Sequence, residues 1–378
     1  MKKLNPLKTF VPVMFACLAI LEANQNAQWF RSYGDSGILG PYLLESSKIF
    51  SRWLLGSTVI LDLWTIRSLV PGLDISSTHF ATLLGAIWMM MTSIFLLRVR
   101  GAFGPIILCL SSPIWIAFSL GYDEYYPFIV GLFMVYLLWI FDYFQLGRSG
   151  TAILLATLMV SYVGFSIFVL IGFVKILVMY RDKVLWIKTL ALTAFLTLVL
   201  IEVCWPSGHT DYLAQLIKDM NLGEVNTIWP AYQGHAMSAN LPVFEISYAI
   251  SSNHLLEVSK MVLYGGGAGT VFFLFPFQYL TDKKIVFKTW IPKFEELPKI
   301  LLVSYSVLYL LFMIPKIGPV IDIDLFFTSN FILLFWVGDR IQKIHLNGSS
   351  QKKSLLVVGC ALAMVNLLLT YRLVISGL

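Results

Sequence analysis

Long apolar runs constrain this chain more than any other feature. Runs of about 18 residues or more recur along its length, and a run of that size can cross a bilayer as an α-helix. Hydrophobic residues make up 58% of the chain and charged residues 13%, whereas a soluble domain has about 25% charged residues. The sequence therefore predicts an all-α, polytopic membrane protein with about eleven transmembrane helices.

One apolar run, 152–180, is long enough to be read as one tilted helix or as two short ones. Division into two places the basic loops 181–188 and 281–299 in the cytoplasm, as the positive-inside rule favours, and we adopt it. The N-terminus is then cytoplasmic and the C-terminus lies on the outer side of the membrane, which we take to be a bacterial inner membrane. The predicted spans are 9–23, 78–97, 103–119, 127–141, 152–164, 166–180, 187–204, 260–279, 300–314, 326–338 and 353–371.

Two long segments between spans are predicted to be outer loops of a single domain that covers residues 1–378. The first loop, about 24–77, contains two amphipathic stretches, 38–52 and 53–70. Their charges make a transmembrane position costly and favour helices that lie in the membrane interface. The second loop, about 205–259, is interrupted by several prolines and glycines.

Asp35 is the main candidate for a catalytic residue. It follows the first span in the turn Tyr33-Gly34-Asp35-Ser36-Gly37, on the predicted outer side. Glycine on either side favours a turn, which lets a carboxylate approach a substrate closely. Asp is also a favoured N-cap, so Asp35 alone is compatible with capping the next helix.

Two further acidic groups occur on predicted outer turns. Asp123 and Glu124 lie between two spans, where they either contact a substrate or form a solvated turn. Asp322 and Asp324 precede the span at 326–338, with Lys316 a few residues earlier. We assign these five residues to substrate binding, with Lys316 as the contact for a lipid phosphate, whose charge grows as a sugar leaves it. Helix capping and lysine snorkelling are the alternatives.

Three histidines, His209, His235 and His254, belong to the second outer loop, and their spacing fits no compact metal site. We include His254 among the residues for substrate contact. Lys175 lies inside a span, and snorkelling towards the cytoplasmic face is the simplest interpretation of it. The glycines at 265–269 have a spacing that permits close helix packing.

The order of several features along residues 9–200 resembles the GT-C membrane glycosyltransferases, the group that includes protein O-mannosyltransferases and aminoarabinose transferases. The resemblance rests on the first helix with its acidic loop, Ser77-Thr78-His79, the basic loop from Arg98 to Gly104, Ser112-Pro113, and the acidic turn from Gly121 to Tyr126.

The resemblance implies a donor sugar on a polyprenyl phosphate and a glycan, lipid or protein acceptor, which meet among membrane lipids on the non-cytoplasmic face. It also implies that Asp35 activates or orients the acceptor. Many relatives have an Asp-Glu pair where this chain has Asp35-Ser36. A divalent metal ion is therefore left open as a cofactor, and no metal ligand is assigned. The net charge of +6 reflects membrane topology and anionic headgroups, and we predict no nucleic-acid partner.

Two other functions remain open. A polysaccharide polymerase of the O-antigen type is expected to use arginines in its outer loops, and 205–259 has none. A transporter or flippase of lipid-linked sugars would have broken helices in corresponding halves, and the sequence has no such repeat.

Overall fold

The computed structural model describes residues 77–99, 101–119, 126–161, 165–179, 183–204, 246–274, 294–314, 326–345 and 357–368. These residues are mostly helical and contain no β-strand, so the all-α class is confirmed for them. The helices are α1 (Ser77–Arg98), α2 (Phe103–Leu110), α3 (Pro113–Ser119), α4 (Tyr126–Ile140), α5 (Arg148–Ser161), α6 (Ser166–Met179), α7 (Lys183–Cys204), α8 (Ile246–Ala249), α9 (Ser252–Gly266), α10 (Leu297–Phe312), α11 (Phe327–His345) and α12 (Val357–Leu368). Two 3₁₀ segments are Gly267–Leu274 and Phe294–Glu296.

Within these residues, one helical segment is both long and apolar enough to cross a membrane. It is Lys183–Glu202 in α7, with a mean hydropathy of 2.2. Several other helices are apolar but shorter, at 10–17 residues. The number of membrane-spanning helices therefore stays a prediction, and the first span and the two amphipathic stretches lie outside the described residues.

The chain forms two compact units. Of the described residues, the first unit contains those from 77 to 99 and from 117 to 204, and the second contains those from 101 to 116 and from 246 to 368.

In the first unit, the long apolar run forms two helices, α5 and α6, as we predicted. Tyr136 of α4 donates a hydrogen bond to Phe168 O (2.7 Å), and Lys175 of α6 bonds Trp139 O (2.7 Å). Because the partners advance together along both helices, α4 and α6 run parallel. The prediction of a split run is thus confirmed.

Lys175 of α6 caps the C-terminal end of α4 and does not extend to the membrane surface. Our interpretation of it as a snorkelling lysine was therefore wrong. Its side chain is buried, and Nζ bonds Trp139 O, Ile140 O (3.0 Å) and the carboxylate of Asp142. The last carbonyls of a helix have no partner within the helix and carry partial negative charge, so a cation there is stabilising. Asp142 adopts φ 66°, the left-handed conformation that commonly ends a helix and that Asp tolerates better than most residues.

We expect Lys175→Met to destabilise the protein by about 2–4 kcal/mol, because two buried carbonyls lose charged hydrogen bonds. Asp142 contributes less, since its side chain is 58% exposed. The matched control is Lys183→Met, which removes an exposed lysine at the start of α7. Denaturant unfolding of detergent-solubilised protein measures both, and equal effects would contradict the assigned role of Lys175.

In the second unit, α2 and α11 pack with their backbones in close contact. A Cβ on Gly338 would lie 2.4 Å from Pro105 Cα, and a Cβ on Gly104 would lie 2.8 Å from Gly338 O. Gln342 accepts a hydrogen bond from Gly104 N–H (2.7 Å), one of the unpaired donors at the start of α2. Cys109 Sγ contacts Phe331 O (3.7 Å) nearer the other end, so α2 and α11 are antiparallel.

Gly338→Ala should cost about 1–3 kcal/mol or more, because the obstacle is backbone and cannot rotate away. Gly147→Ala is the control, since nothing lies within 4 Å of the position that its Cβ would take. We expect it to leave the free energy of unfolding nearly unchanged, and the same titrations compare the two. A tolerated Gly338→Ala would mean that α2 and α11 can separate.

Candidate functional site

Of the residues predicted to form the site, only His254 lies in the described part of the chain. Asp35, Asp123, Glu124, Lys316, Asp322 and Asp324 lie outside it. The polar features of the second unit that bear on a site are two interrupted helical segments, two buried asparagines, and a buried histidine that contacts a partly buried glutamate. We build the candidate site from these.

The predicted span 103–119 is not one helix but two, α2 and α3, which meet at Ser111 and Ser112. Pro113 has no N–H and disfavours the helical conformation in the residue before it. Ser112 Oγ accepts a hydrogen bond from Trp115 N–H (3.3 Å) and so caps α3, with Pro113 at its first position. The Ser-Pro pair therefore starts a new helix instead of continuing the old one.

The predicted span 260–279 also differs from the structure. Its helix, α9, begins earlier, at Ser252, because Ser251 Oγ accepts from His254 N–H (3.2 Å) as an N-cap. It ends at Gly266, and Gly267 adopts φ 61° and ψ −146°, a conformation that residues with a Cβ rarely adopt. The chain then continues as a 3₁₀ helix.

Asn366 of α12 bonds the backbone at both interruptions. Its Nδ2 donates to Ser111 O (2.5 Å) at the end of α2, and its Oδ1 accepts from Ala268 N–H (2.8 Å) after Gly267. The side chain is fully buried. A Cβ on Gly267 would come within 2.3 Å of Asn366 Oδ1, so only glycine leaves room for this contact.

Asn330 of α11 lies against the glycines that precede the second interruption. A Cβ on Gly265 would be 2.1 Å from Asn330 Nδ2, which donates to Phe326 O (3.0 Å) and Met261 O (3.4 Å). Its Oδ1 is buried and has no hydrogen-bond partner in the described structure. The glycine run therefore leaves room for the side chain of Asn330. Its spacing had predicted close helix packing only.

His254 lies in the first turn of α9 and has no exposed surface. Its Nε2 bonds Leu311 O (2.8 Å), near the C-terminus of α10, and its Nδ1 lies 3.2 Å from Glu257 Oε2. The ring of Tyr248 packs beside the imidazole, with 5.6 Å between centroids. The predicted contact between His254 and substrate would require these bonds to break.

Both partners of His254 are acceptors, a backbone carbonyl and a carboxylate, so each ring nitrogen faces an oxygen. The His254 side chain is fully buried, whereas 14% of the Glu257 side chain is exposed.

Sequence reasoning missed Glu257, Asn330 and Asn366. The spacing of His254 and Glu257, three residues apart, could have indicated contact on one helix face. No local signal gives the partners of the two asparagines, because those partners lie on other helices. Within the described residues, no group of three or more His, Cys, Asp or Glu side chains could hold a metal ion.

Comparison of the chain with protein-family models, with curated proteins and with solved structures gives no match.

Replacing Asn366 tests whether it holds the two interruptions together. Asn366→Ala leaves the buried Ser111 C=O without this partner, at a cost of about 1–3 kcal/mol, and also removes the partner of the partly buried Ala268 N–H. Met364→Ala is the control, since this residue of the same helix is 57% exposed. We expect the first variant to lower the midpoint of thermal unfolding in detergent clearly more than the second. A smaller effect of Asn366→Ala would refute the assigned role.

Proposed function

We propose that this protein is a membrane glycosyltransferase of the GT-C type, which moves a sugar from a polyprenyl-phosphate carrier to an acceptor on the non-cytoplasmic face. The observation that carries the membrane part of the proposal is the large number of apolar side chains on the surface. Large apolar side chains such as Phe195, Leu198 and Leu368 are exposed, whereas Lys175 and Asn366 are buried. Lipid is the solvent in which such a surface is stable.

The contact between α9 and α10 supports the prediction that the loop 205–259 and the segment containing Lys316, Asp322 and Asp324 lie on the same side of the membrane. Since His254 in the first turn of α9 bonds Leu311 near the end of α10, these two helix ends lie together. The segment before α9 contains most of the predicted loop 205–259, and the segment after α10 contains Lys316, Asp322 and Asp324. Adjacent helix ends favour a common side of the membrane for both segments.

In the proposed reaction, an acceptor hydroxyl attacks the anomeric carbon of the donor sugar. The carbon–oxygen bond to the lipid phosphate breaks, and Asp35 takes the hydroxyl proton as general base. Lys316 stabilises the charge that develops on the departing phosphate. Attack opposite the leaving group inverts the configuration of the sugar. Asp123, Glu124, Asp322 and Asp324 would orient the substrates.

Asp35→Asn in membranes, assayed with polyprenyl-phosphate sugars, tests the proposal. We expect sugar transfer to fall by about a hundredfold or more, because an amide cannot act as the base. Glu45→Gln removes another acid from the same predicted loop and should leave transfer nearly unchanged. Protein amount in the membrane is measured for each. Near-normal transfer by a normally expressed Asp35→Asn variant would exclude Asp35 as the base.

A transporter of lipid-linked sugars is the second candidate, and one observation favours it. Interruptions at Ser112 and Gly267 fall inside predicted spans, and broken helices of this kind line substrate sites in secondary transporters. Purified protein in vesicles separates the functions. Acceptor glycosylation indicates the transferase, and movement of the donor across the bilayer without product indicates the transporter.

A further inference from the structure

We propose that the junction of the two interruptions, where Pro113 meets Gly267, binds a monovalent metal cation, with Asn330 Oδ1 and backbone carbonyls at the end of α9 as ligands. The proposal does not depend on the chemistry of the transferase. It rests on the contact between the interruptions, on one buried oxygen without a hydrogen-bond partner and on the charges of the surrounding segments.

The two interruptions contact each other directly. A Cβ on Gly267 would lie 2.6 Å from Pro113 Cδ, so the chain after α9 packs against the proline that starts α3. Asn366 bonds the backbone on both sides, at Ser111 O and at Ala268 N–H. The end of α2 and the end of α9 are therefore held together at one buried junction.

The ends of α2 and α9 approach this junction from opposite directions. α2 runs antiparallel to α11, as its contacts with Gln342 and Phe331 show. A Cβ on Gly265 would touch Asn330, and one on Gly269, about a turn later, would lie 3.1 Å from Leu334 Cδ2. The chain through α9 therefore runs parallel to α11. The last carbonyls of a helix carry partial negative charge, and two sets of them meet here.

An oxygen that can only accept is left over at the junction. The hydroxyls of Ser112 and Thr270 and both carboxamide nitrogens donate to backbone carbonyls. Asn330 Oδ1 is buried and has no hydrogen-bond partner in the described structure. A carboxamide oxygen has no proton to give, so it requires a donor or a cation. Ser329 Oγ is also buried without such a partner, but consecutive residues of a helix point about 100° apart, and we do not assign it as a ligand.

The charges of the surrounding segments favour a cation with a single charge. The described segments that form this region are 107–116, 261–274, 327–338 and 357–368, and none of them contains Lys, Arg, His, Asp or Glu. No basic side chain of these segments therefore compensates the negative helix ends. Divalent ions such as Ca²⁺ usually take carboxylate ligands, which these segments lack. Neutral oxygens at the C-terminal end of a broken helix are ligands that suit Na⁺ in membrane proteins.

Two glycines keep the surroundings of Asn330 Oδ1 free of side chains. A Cβ on Gly265 would lie 3.0 Å from this oxygen, and a Cβ on Gly266 would lie 3.8 Å from it. Glycine lets the backbone approach a ligand closely. The last residues of α9 therefore place backbone, and no side chain, next to the oxygen that needs a partner.

Thermal unfolding of the full-length protein in detergent tests the cation site, with sodium, potassium and choline chlorides compared at equal concentration. Choline has the same charge but is too large for a site between packed helices. We expect sodium or potassium to raise the unfolding midpoint by about 3 °C or more relative to choline at about 150 mM, because an ion that binds only the folded protein stabilises it. Equal midpoints in the three salts would overturn the proposal and indicate a buried water as the partner of Asn330 Oδ1.

Two matched variants locate the effect. Asn330→Leu removes the proposed ligand, so its midpoint in sodium or potassium should equal its midpoint in choline. Asn253→Leu makes the same change at an exposed position in the first turn of α9 and should keep the full rise of the native protein. A full rise in Asn330→Leu would also overturn the proposal.

If Asn330→Leu does not fold, Asn330→Asp decides. A carboxylate attracts a cation more strongly than a carboxamide does, so the half-maximal rise should occur at a salt concentration at least severalfold lower than in the native protein. The same concentration dependence in Asn330→Asp and in the native protein would contradict the assigned ligand.

Discussion

Buried ends of helices need partners, and in this protein side chains from other helices provide them. Lys175 bonds the last carbonyls of α4, Gln342 bonds an N–H at the start of α2, and His254 bonds a carbonyl near the end of α10. Asn366 bonds the end of α2 and the chain after Gly267. An unpaired backbone group away from water costs several kcal/mol, so the position of each helix end constrains the helix that caps it.

These bonds also fix how far each helix is shifted along its axis relative to its neighbour. Apolar contacts alone determine that shift only weakly. In the lipid environment that we propose, one leucine contact between helices is about as favourable as another, because lipid tails are equally apolar. A carbonyl paired with one ammonium or one carboxamide allows a single alignment. The close approach of Gly338 to Pro105 adds a steric constraint to the same effect, since a shift by one residue would put a side chain against backbone.

The positions of most described helices could be predicted from the sequence, because apolar runs of sufficient length define them. The two interruptions could not. Ser112-Pro113 was noted only as part of a family pattern, and hydropathy is uniform across it. Gly267 is one of several neighbouring glycines, and the choice of which one adopts a positive φ depends on Asn366, about a hundred residues later. Tertiary contacts decided both breaks, as they also decided that Lys175 is a cap and not a snorkelling lysine.

The same contacts narrow the search for catalytic groups. An ionisable residue inside a membrane is by default a functional candidate, yet in the described residues each buried charge is engaged within the protein. A carboxylate that accepts a proton from a substrate must have a free oxygen within reach of it. Buried groups committed to helix ends do not meet this requirement while the helices stay in place. The acids of the predicted outer segments remain the candidates for chemistry in the proposed reaction, namely Asp35, Asp123, Glu124, Asp322 and Asp324.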